Sequence, residues 1–198
     1  MSDQSLIKKI NLEIIEYNKK GKPVIFVICG KNCSGKTVLS CSLLKKIDFY
    51  QSVNLGINSK MIRFFKKDIL SEEFENFNGN RASNIFKNLV DFIIDCYAKT
   101  GVNIIIEGVQ IDTERLQKNE KVLGGVILDI KPALLEKRGE KPETHFKRST
   151  ENSRIKTVKY IPTSKFILVD NNGRFKNTVD KTLYHLDYLL KERLEKHE

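Results

Sequence analysis

Residues 30–37 have the spacing of a loop that binds phosphate groups. They read Gly-Lys-Asn-Cys-Ser-Gly-Lys-Thr and match the pattern G-x-x-x-x-G-K-[ST] at every fixed position. Gly30 and Gly35 allow backbone angles and a close approach that a Cβ would forbid, so successive N–H groups can turn toward phosphate oxygens. Lys36 can reach the β and γ phosphates of a nucleotide, and the Thr37 hydroxyl can ligate the Mg²⁺ that accompanies them. The pattern predicts binding of a nucleoside triphosphate.

The neighbours of this loop fit the same interpretation. Residues 24–29 form a short apolar run rich in β-branched side chains, which predicts a buried parallel strand. Residues 38–46 carry leucines at helical spacing, so a helix should follow and point its positive end at the phosphates. The alternative is a glycine-rich turn that binds nothing. The intervening loop positions expected to contribute to the phosphate cradle are Lys31, Asn32, Cys33 and Ser34.

Glu107 is the second candidate for chemistry. It lies near the end of residues 102–108, an apolar run that predicts a buried strand. Ligands of open α/β sheets collect at the carboxyl ends of the strands, and a buried carboxylate there is costly without a partner. Beside a phosphate loop the natural partner is Mg²⁺ or its water shell, reached together with Thr37. The alternative is a carboxylate bonded only to loop amides.

A basic segment stands between the last two predicted strands. On a helical interpretation Arg148 lies near Lys141 and His145, so several cations share one side. Such a group could close over the phosphates and neutralise charge that develops during phosphoryl transfer. The alternative is a solvated basic helix. The basic residues of the segment are Arg138, Lys141, His145, Lys147, Arg148, Arg154, Lys156 and Lys159.

The elements that must position these residues alternate between strand and helix. Predicted strands cover residues 24–29, 52–57, 102–108, 125–130 and 166–170. Predicted helices begin at Ser5, cover residues 38–46, 59–70 and 82–99, start again at Pro132, and end with residues 179–190, and residues 74–80 are a predicted polar loop. This alternation predicts an α/β architecture with a mainly parallel sheet. Since no internal repeat or domain boundary is evident, residues 1–198 are expected to form one domain.

The composition is consistent with a globular protein that binds an anionic partner. Hydrophobic residues make up 40% and charged residues 30%, which is ordinary for a soluble chain and wrong for a disordered one. The formal net charge of +10 favours a nucleotide, a phosphorylated metabolite or nucleic acid as partner. The alternative is that scattered lysines only solvate the surface. We find no apolar segment long enough to span a membrane and no signal peptide, so a cytoplasmic protein is expected.

The four cysteines include no C-x-x-C pair. Cys29 and Cys96 stand in apolar runs and are expected to be buried thiols in a reducing compartment. Cys33 faces a helix N-terminus inside the phosphate loop, which leaves a redox-sensing role or simple filling of a variable position as the alternatives.

Taken together, the loop, the Glu107 strand end and the basic segment resemble the nucleotide-kinase-like group of phosphate-loop kinases. Within that group, short matches at residues 55–57, 62–63, 105–109 and 169–171 resemble 2-phosphoglycerate kinases and, more loosely, zeta-toxin-like kinases. The resemblance covers residues 24 to about 190, and only its loop motif is highly specific.

This resemblance implies a three-layer sandwich with a five-stranded parallel sheet, in which the Glu107 strand lies beside the loop strand. It implies a mobile lid over residues 138–160 that brings Arg148 or Arg154 to the phosphates. It also places Asn171, in the turn after the last strand, near the adenine.

The resemblance further implies that Arg63 and Arg81 contact the acceptor. These kinases commonly carry an Asp shortly before the arginine that matches Arg63, and residues 59–61 contain no acid. Either another acid substitutes, or the acceptor differs, or transfer is inefficient. The candidate substitutes are Glu107, Asp68 and Asp112.

The leading hypothesis is therefore an ATP- and Mg²⁺-dependent kinase acting on a small acceptor: a nucleoside, a nucleotide or a phosphorylated metabolite. A polynucleotide-end or zeta-toxin-like kinase is the first alternative, favoured by the charge of +10. A non-catalytic nucleotide-binding module is the second, favoured by the missing acid. The first helix is expected to pack on the sheet, with a homodimer contact as the alternative.

Overall fold

A computed structural model describes residues 3–31, 33–49, 51–55, 79–108, 111–139 and 160–196, with residues 3, 79–88, 135–136 and 138–139 described by their backbone alone. The helices, in chain order, are α1 (Asp3–Lys19), α2 (Lys36–Leu44), α3 (Gly79–Thr100), α4 (Thr113–Gln117), α5 (Pro132–Gly139) and α6 (Phe175–Glu195). The strands are β1 (Ile25–Gly30), β2 (Gln51–Asn54), β3 (Ile104–Gly108), β4 (Gly124–Asp129) and β5 (Phe166–Asp170).

The five strands form one sheet in the order β2-β3-β1-β4-β5. Every neighbouring pair is parallel. The central strand β1 pairs with β3 on one side and β4 on the other, and its register sets Ile28 opposite Glu107. The predicted α/β fold with a five-stranded parallel sheet is thus confirmed, as is the position of the Glu107 strand beside the loop strand.

Helices cover both faces of the sheet, which explains why its inner strands are apolar throughout. All residues of β1 and of β3 are buried, as expected for strands with helices on each side. One core joins α1, α2 and α6 to the sheet through residues such as Ile14, Leu43 and Leu186. The opposite core joins α3 and α4 to the sheet through residues such as Ile94 and Leu116. The result is a three-layer sandwich.

Most element boundaries lie within a few residues of those expected. β2 is shorter than predicted and ends at Asn54, and α3 begins at Gly79, so the prediction of a loop through residue 80 was wrong at its end. The short helix α4 was not predicted, because five residues are too few to show apolar periodicity. Its signal was Asp112, whose Oδ1 accepts a hydrogen bond of 3.1 Å from the Arg115 N–H. The predicted helix over residues 59–70 lies outside the described residues.

The two cysteines expected to be buried differ. Cys29 is fully buried in β1, where its thiol lies 3.6 Å from the Val126 carbonyl oxygen. Burial raises the pKa of the Cys29 thiol to about 12, so this cysteine is inert at neutral pH. Cys96 is exposed on α3, and the expectation of burial was wrong for it because it faces away from the apolar side of that helix. No helix in the described part of the chain has the length and apolar character needed to span a bilayer.

Gly125 occupies a place in β4 that has no room for a side chain. A Cβ there would lie 2.1 Å from the Val27 carbonyl oxygen of β1 and 3.0 Å from the Phe166 ring. Replacing Gly125 with alanine should therefore lower the free energy of unfolding in urea by about 3 kcal/mol, the upper part of the usual cost of overpacking. Gly173 is the matched control, since nothing lies within 4 Å of its added Cβ. Equal urea midpoints for the two alanine variants would contradict this assignment.

His185 of α6 should make the fold sensitive to mild acid. The side chain is buried, with Nε2 3.1 Å from the Lys165 carbonyl oxygen, and burial lowers the pKa of the imidazole below its usual 6.5. Because the imidazole binds a proton more readily in the unfolded chain than in the folded one, protonation favours unfolding. The stability that neutral His185 contributes is therefore complete above pH 6.5 and is lost as the pH falls toward the folded pKa of this residue.

The measurement is the free energy of unfolding between pH 7 and pH 5, which lies above the range where most carboxylates titrate. The wild type should lose stability over this range by more than a His185→Gln variant does. Identical pH profiles for the two proteins would rule out His185 as the cause.

Candidate phosphate-binding site

The loop between β1 and α2 has the backbone angles that its glycines predicted. Gly30 has φ of +144°, Gly35 has φ of +94°, and Cys33 has φ of +57°. A Cβ on Gly30 would also lie 2.7 Å from the Leu128 carbonyl oxygen and 2.9 Å from the Ser34 hydroxyl oxygen. Gly30 is therefore required both by its angle and by the closeness of its neighbours. Repeated left-handed angles of this kind let successive N–H groups face one concave side.

The helix that follows the loop presents its positive end at the same place. α2 begins at Lys36, and its N-cap is Gly35, which has no side chain to satisfy the first amides. The first turn contains no acidic residue, so no internal anion competes for these donors. Thr37 is exposed in the first turn of this helix. The arrangement suits an external anion such as a phosphate group.

The side chain of Lys36 reaches back from α2 to the start of the loop. Its Nζ donates to the Gly30 carbonyl oxygen at 3.1 Å and to the Lys31 carbonyl oxygen at 2.7 Å. Burial lowers the pKa of Lys36, and the nearby Glu107 carboxylate opposes that shift. The ammonium group is thus held by neutral carbonyls, which a charged phosphate oxygen would replace with a stronger partner.

Glu107 is almost fully buried, with 2% of its surface exposed. Its Oε1 accepts a hydrogen bond of 2.9 Å from Asn54 Nδ2 at the end of β2. Its Oε2 accepts one of 3.3 Å from the Ser40 hydroxyl on α2. Among the described residues, two neutral side chains therefore hold the carboxylate. Neither partner carries a charge, and within the described part of the chain Lys36 is a cation close enough to interact electrostatically with this carboxylate.

Asn171 directly follows β5 and contacts the loop between β1 and α2. It is 2% exposed, and its Nδ2 donates to the Ser34 carbonyl oxygen at 2.6 Å. Its Oδ1 accepts a hydrogen bond of 2.9 Å from the Thr178 hydroxyl in the first turn of α6. The contact with adenine stays a prediction, whereas the contact with the loop is direct.

Several residues at this site were not predicted from the sequence. Ser40 stood out only as a polar side chain beside Leu39 on the buried face of α2, and Asn54 as a polar residue at the end of a strand. Tyr160 packs near β1, where burial raises the pKa of its phenol and its oxygen hydrogen-bonds the Gly30 backbone. Thr178 gave no signal, because its role depends on contacts with Asn171.

Other predicted site residues lie outside the described residues, so their placement stays a prediction. This group comprises Asn32, Arg63, Asp68, Arg148, Arg154 and the side chain of Arg81. Most of the predicted lid segment, residues 138–160, lies outside as well. Asp112 is described, but one of its oxygens caps α4, which leaves it less free to act on an acceptor.

The described residues fit a Mg²⁺ ion that arrives with phosphates. Mg²⁺ in such sites is bound by one or two carboxylates together with phosphate oxygens and water. Glu107 could supply the carboxylate, and the exposed Thr37 could supply a hydroxyl. No group of three or more His, Cys, Asp or Glu side chains within the described residues could hold a metal on its own. These two side chains therefore fit an ion whose other ligands come from the phosphates and water.

The fold is found in solved proteins of distant sequence. A sugar kinase from Janibacter sp. HTCC2649, solved without ligand, is 18% identical and superposes with a TM-score of 0.62 over 83% of this chain and 95% of its own. The protein APE1195 is 17% identical, with a TM-score of 0.54 over 87% of this chain and 96% of its own. No protein-family model matches the chain, and no curated protein matches its sequence. At these identities, the likeness establishes a fold shared with a kinase.

Proposed function

We propose that this chain is an ATP- and Mg²⁺-dependent kinase that transfers the γ-phosphoryl group to a small-molecule acceptor, either a nucleoside, a nucleotide or a phosphorylated metabolite. The observation that carries the proposal is a buried carboxylate, Glu107, set beside Lys36 and an anion-binding loop at the carboxyl edge of a parallel sheet. The fold shared with a sugar kinase supports it.

In this proposal the loop binds the polyphosphate through backbone N–H groups and through Lys36. Lys36 exchanges its two carbonyl partners for oxygens of the β and γ phosphates. Backbone donors that are already oriented need no rearrangement as charge develops on the transferred group, which is why such donors lower the barrier. The remaining loop positions that we assign to the nucleotide are Lys31, Asn32, Cys33 and Ser34.

Glu107 and Thr37 would hold Mg²⁺ together with the phosphates, and the ion would offset negative charge on the phosphoryl group. Asn54 and Ser40 fix the orientation of the Glu107 carboxylate, because each donates a hydrogen bond to one of its oxygens. Of the two candidate acids that the structure describes, Glu107 and Asp112, Glu107 combines a place at the carboxyl edge with closeness to Lys36. We therefore assign to it any role in orienting the acceptor hydroxyl.

The remaining roles are proposed from the resemblance. Arg63 and Arg81 would bind the acceptor, and Arg148 or Arg154 would reach the phosphates from the lid. Asn171 would stand at the nucleotide side of the loop, where its backbone follows β5.

A second candidate is a kinase that acts on nucleic-acid ends, and the net charge of +10 favours it. Oligonucleotide binding that weakens steeply with salt would support this candidate. Absence of binding at low salt would dismiss it.

The test of the main proposal is incubation with ATP labelled in the γ-phosphoryl group and a pool of cell metabolites. A labelled product other than free phosphate is expected only if Mg²⁺ is present. ATP binding without any labelled product would identify a non-catalytic nucleotide-binding module instead.

A further inference from the structure

A buried amide joins the end of β5 to the phosphate loop. Asn171 and Ser34 lie 137 residues apart in sequence, yet Asn171 Nδ2 lies 2.6 Å from the Ser34 carbonyl oxygen. Asn171 is 2% exposed and Ser34 is fully buried. A buried hydrogen bond of this kind is costly to remove, because the carbonyl would lose its partner without gaining water. The contact therefore fixes the direction of the Ser34 carbonyl.

Fixing that carbonyl also fixes a donor of the loop. The peptide bond between Ser34 and Gly35 is planar, and in a trans peptide the carbonyl and the following N–H point in opposite directions. Because the Ser34 carbonyl points at Asn171, the Gly35 N–H must point away from Asn171. Gly35 is the N-cap of α2 and has φ of +94°, so its N–H belongs to the group expected to bind phosphate.

Asn171 is itself held in place by neighbours of both its side chain and its backbone. The Thr178 hydroxyl, 1% exposed, lies 2.9 Å from Asn171 Oδ1 and 3.2 Å from the Asp170 carbonyl oxygen. The Asn171 backbone N–H donates to the Asp129 carbonyl oxygen of β4 at 2.9 Å. Both the amide group and the backbone of Asn171 are therefore anchored to rigid elements, and the side chain has little freedom to turn toward a nucleobase.

We propose that Asn171 is a positioning residue that aims the Gly35 N–H at a phosphate oxygen, and that its side chain does not read the nucleobase. This inference rests on the proposed function, because it assumes that the loop binds a polyphosphate. The family resemblance implied a contact between Asn171 and adenine. In the present inference Asn171 instead contacts the loop that binds the phosphates. Base selection then falls to other residues, and changes at Asn171 leave the preference between ATP and GTP unaltered.

The test compares the dissociation constants of ATP, GTP and inorganic triphosphate in an Asn171→Ala variant, measured by calorimetry well below the unfolding transition. Losing one oriented donor should weaken all three ligands about 10-fold, the effect of a typical hydrogen bond. Thr178→Val, which keeps the side-chain shape but loses the hydroxyl, should weaken all three ligands by a smaller factor and serves if the first variant folds poorly. Asn172→Ala is the matched control, since Asn172 bonds Lys131 and Asp170 and contacts none of the described loop residues.

Each other outcome overturns the inference in its own way. If ATP and GTP weaken while inorganic triphosphate does not, Asn171 contacts the nucleoside. If no dissociation constant changes in the folded variants, Asn171 only stabilises the fold. If the wild type binds neither ATP nor inorganic triphosphate, the proposed function fails and the inference falls with it.

Discussion

Replacing Lys36 with alanine is expected to lower kcat/KM for ATP by about 1,000-fold while the chain stays folded. Lys36 holds its ammonium group inside the loop, where Nζ donates to the carbonyl oxygens of Gly30 and Lys31, whereas the Lys31 side chain is exposed. Without it, the charge on the β and γ phosphates has no fixed positive partner from the described part of the chain. The effect should appear in kcat as well as in KM, because charge on the phosphoryl group is redistributed in the transition state.

Lys31→Ala is the matched control for Lys36→Ala, since it removes an equal charge from another position of the same loop while the Lys31 carbonyl remains available. Lys31 is exposed, so its side chain should contribute far less. The unfolding midpoints of both variants and of the wild type are measured alongside, so that turnover is compared only between folded proteins. Unchanged turnover in a folded Lys36→Ala variant would contradict the proposed mechanism.

The Glu107→Gln variant should lose about 100-fold in kcat and need more Mg²⁺ for half-maximal activity. Glutamine keeps the size of the side chain and can still accept from Ser40 or Asn54, but it loses the negative charge. Because Glu107 opposes the lowering of the Lys36 pKa, the same change should also make the Lys36 ammonium easier to deprotonate. Activity should therefore fall more steeply at high pH in this variant than in the wild type.

Glu114→Gln removes an acid of the same type from the exposed first turn of α4 and is the control. It should leave kcat and the Mg²⁺ requirement unchanged. Equal Mg²⁺ requirements in the Glu107→Gln variant and the wild type would show that Glu107 holds no metal, even if kcat falls.

The loop and its strands could be predicted because their signals are local. Residues 30–37 carry a fixed spacing, and the apolar runs of β1, β3 and β5 are continuous in sequence. The place of the Glu107 strand beside the loop strand came from the family resemblance, and the parallel pairing of β1 with β3 confirms it. Helix α4 escaped prediction because its only signal is the Asp112 cap, with no apolar periodicity behind it.

The partners of the site residues could not be predicted, because they depend on contacts between distant segments. Ser40 and Asn54 reach Glu107 across 67 and 53 residues of chain. Asn171 was selected for its place after a strand, yet its contact with Ser34 follows from how β5 and α6 lie beneath the loop. A side chain at a strand end can turn toward the ligand or toward the protein, and only the packing decides between them.

The most direct test of the central claim is a titration of the ¹⁵N-labelled protein with Mg²⁺ and ATP, following the backbone amide resonances of Gly30, Gly35, Lys36 and Thr37. We predict saturable shifts of these amides at one equivalent of ATP, reproduced by inorganic triphosphate and abolished in Lys36→Ala. If these amides do not shift at millimolar ATP, the loop does not bind polyphosphate and the assignment of this chain as a kinase is wrong.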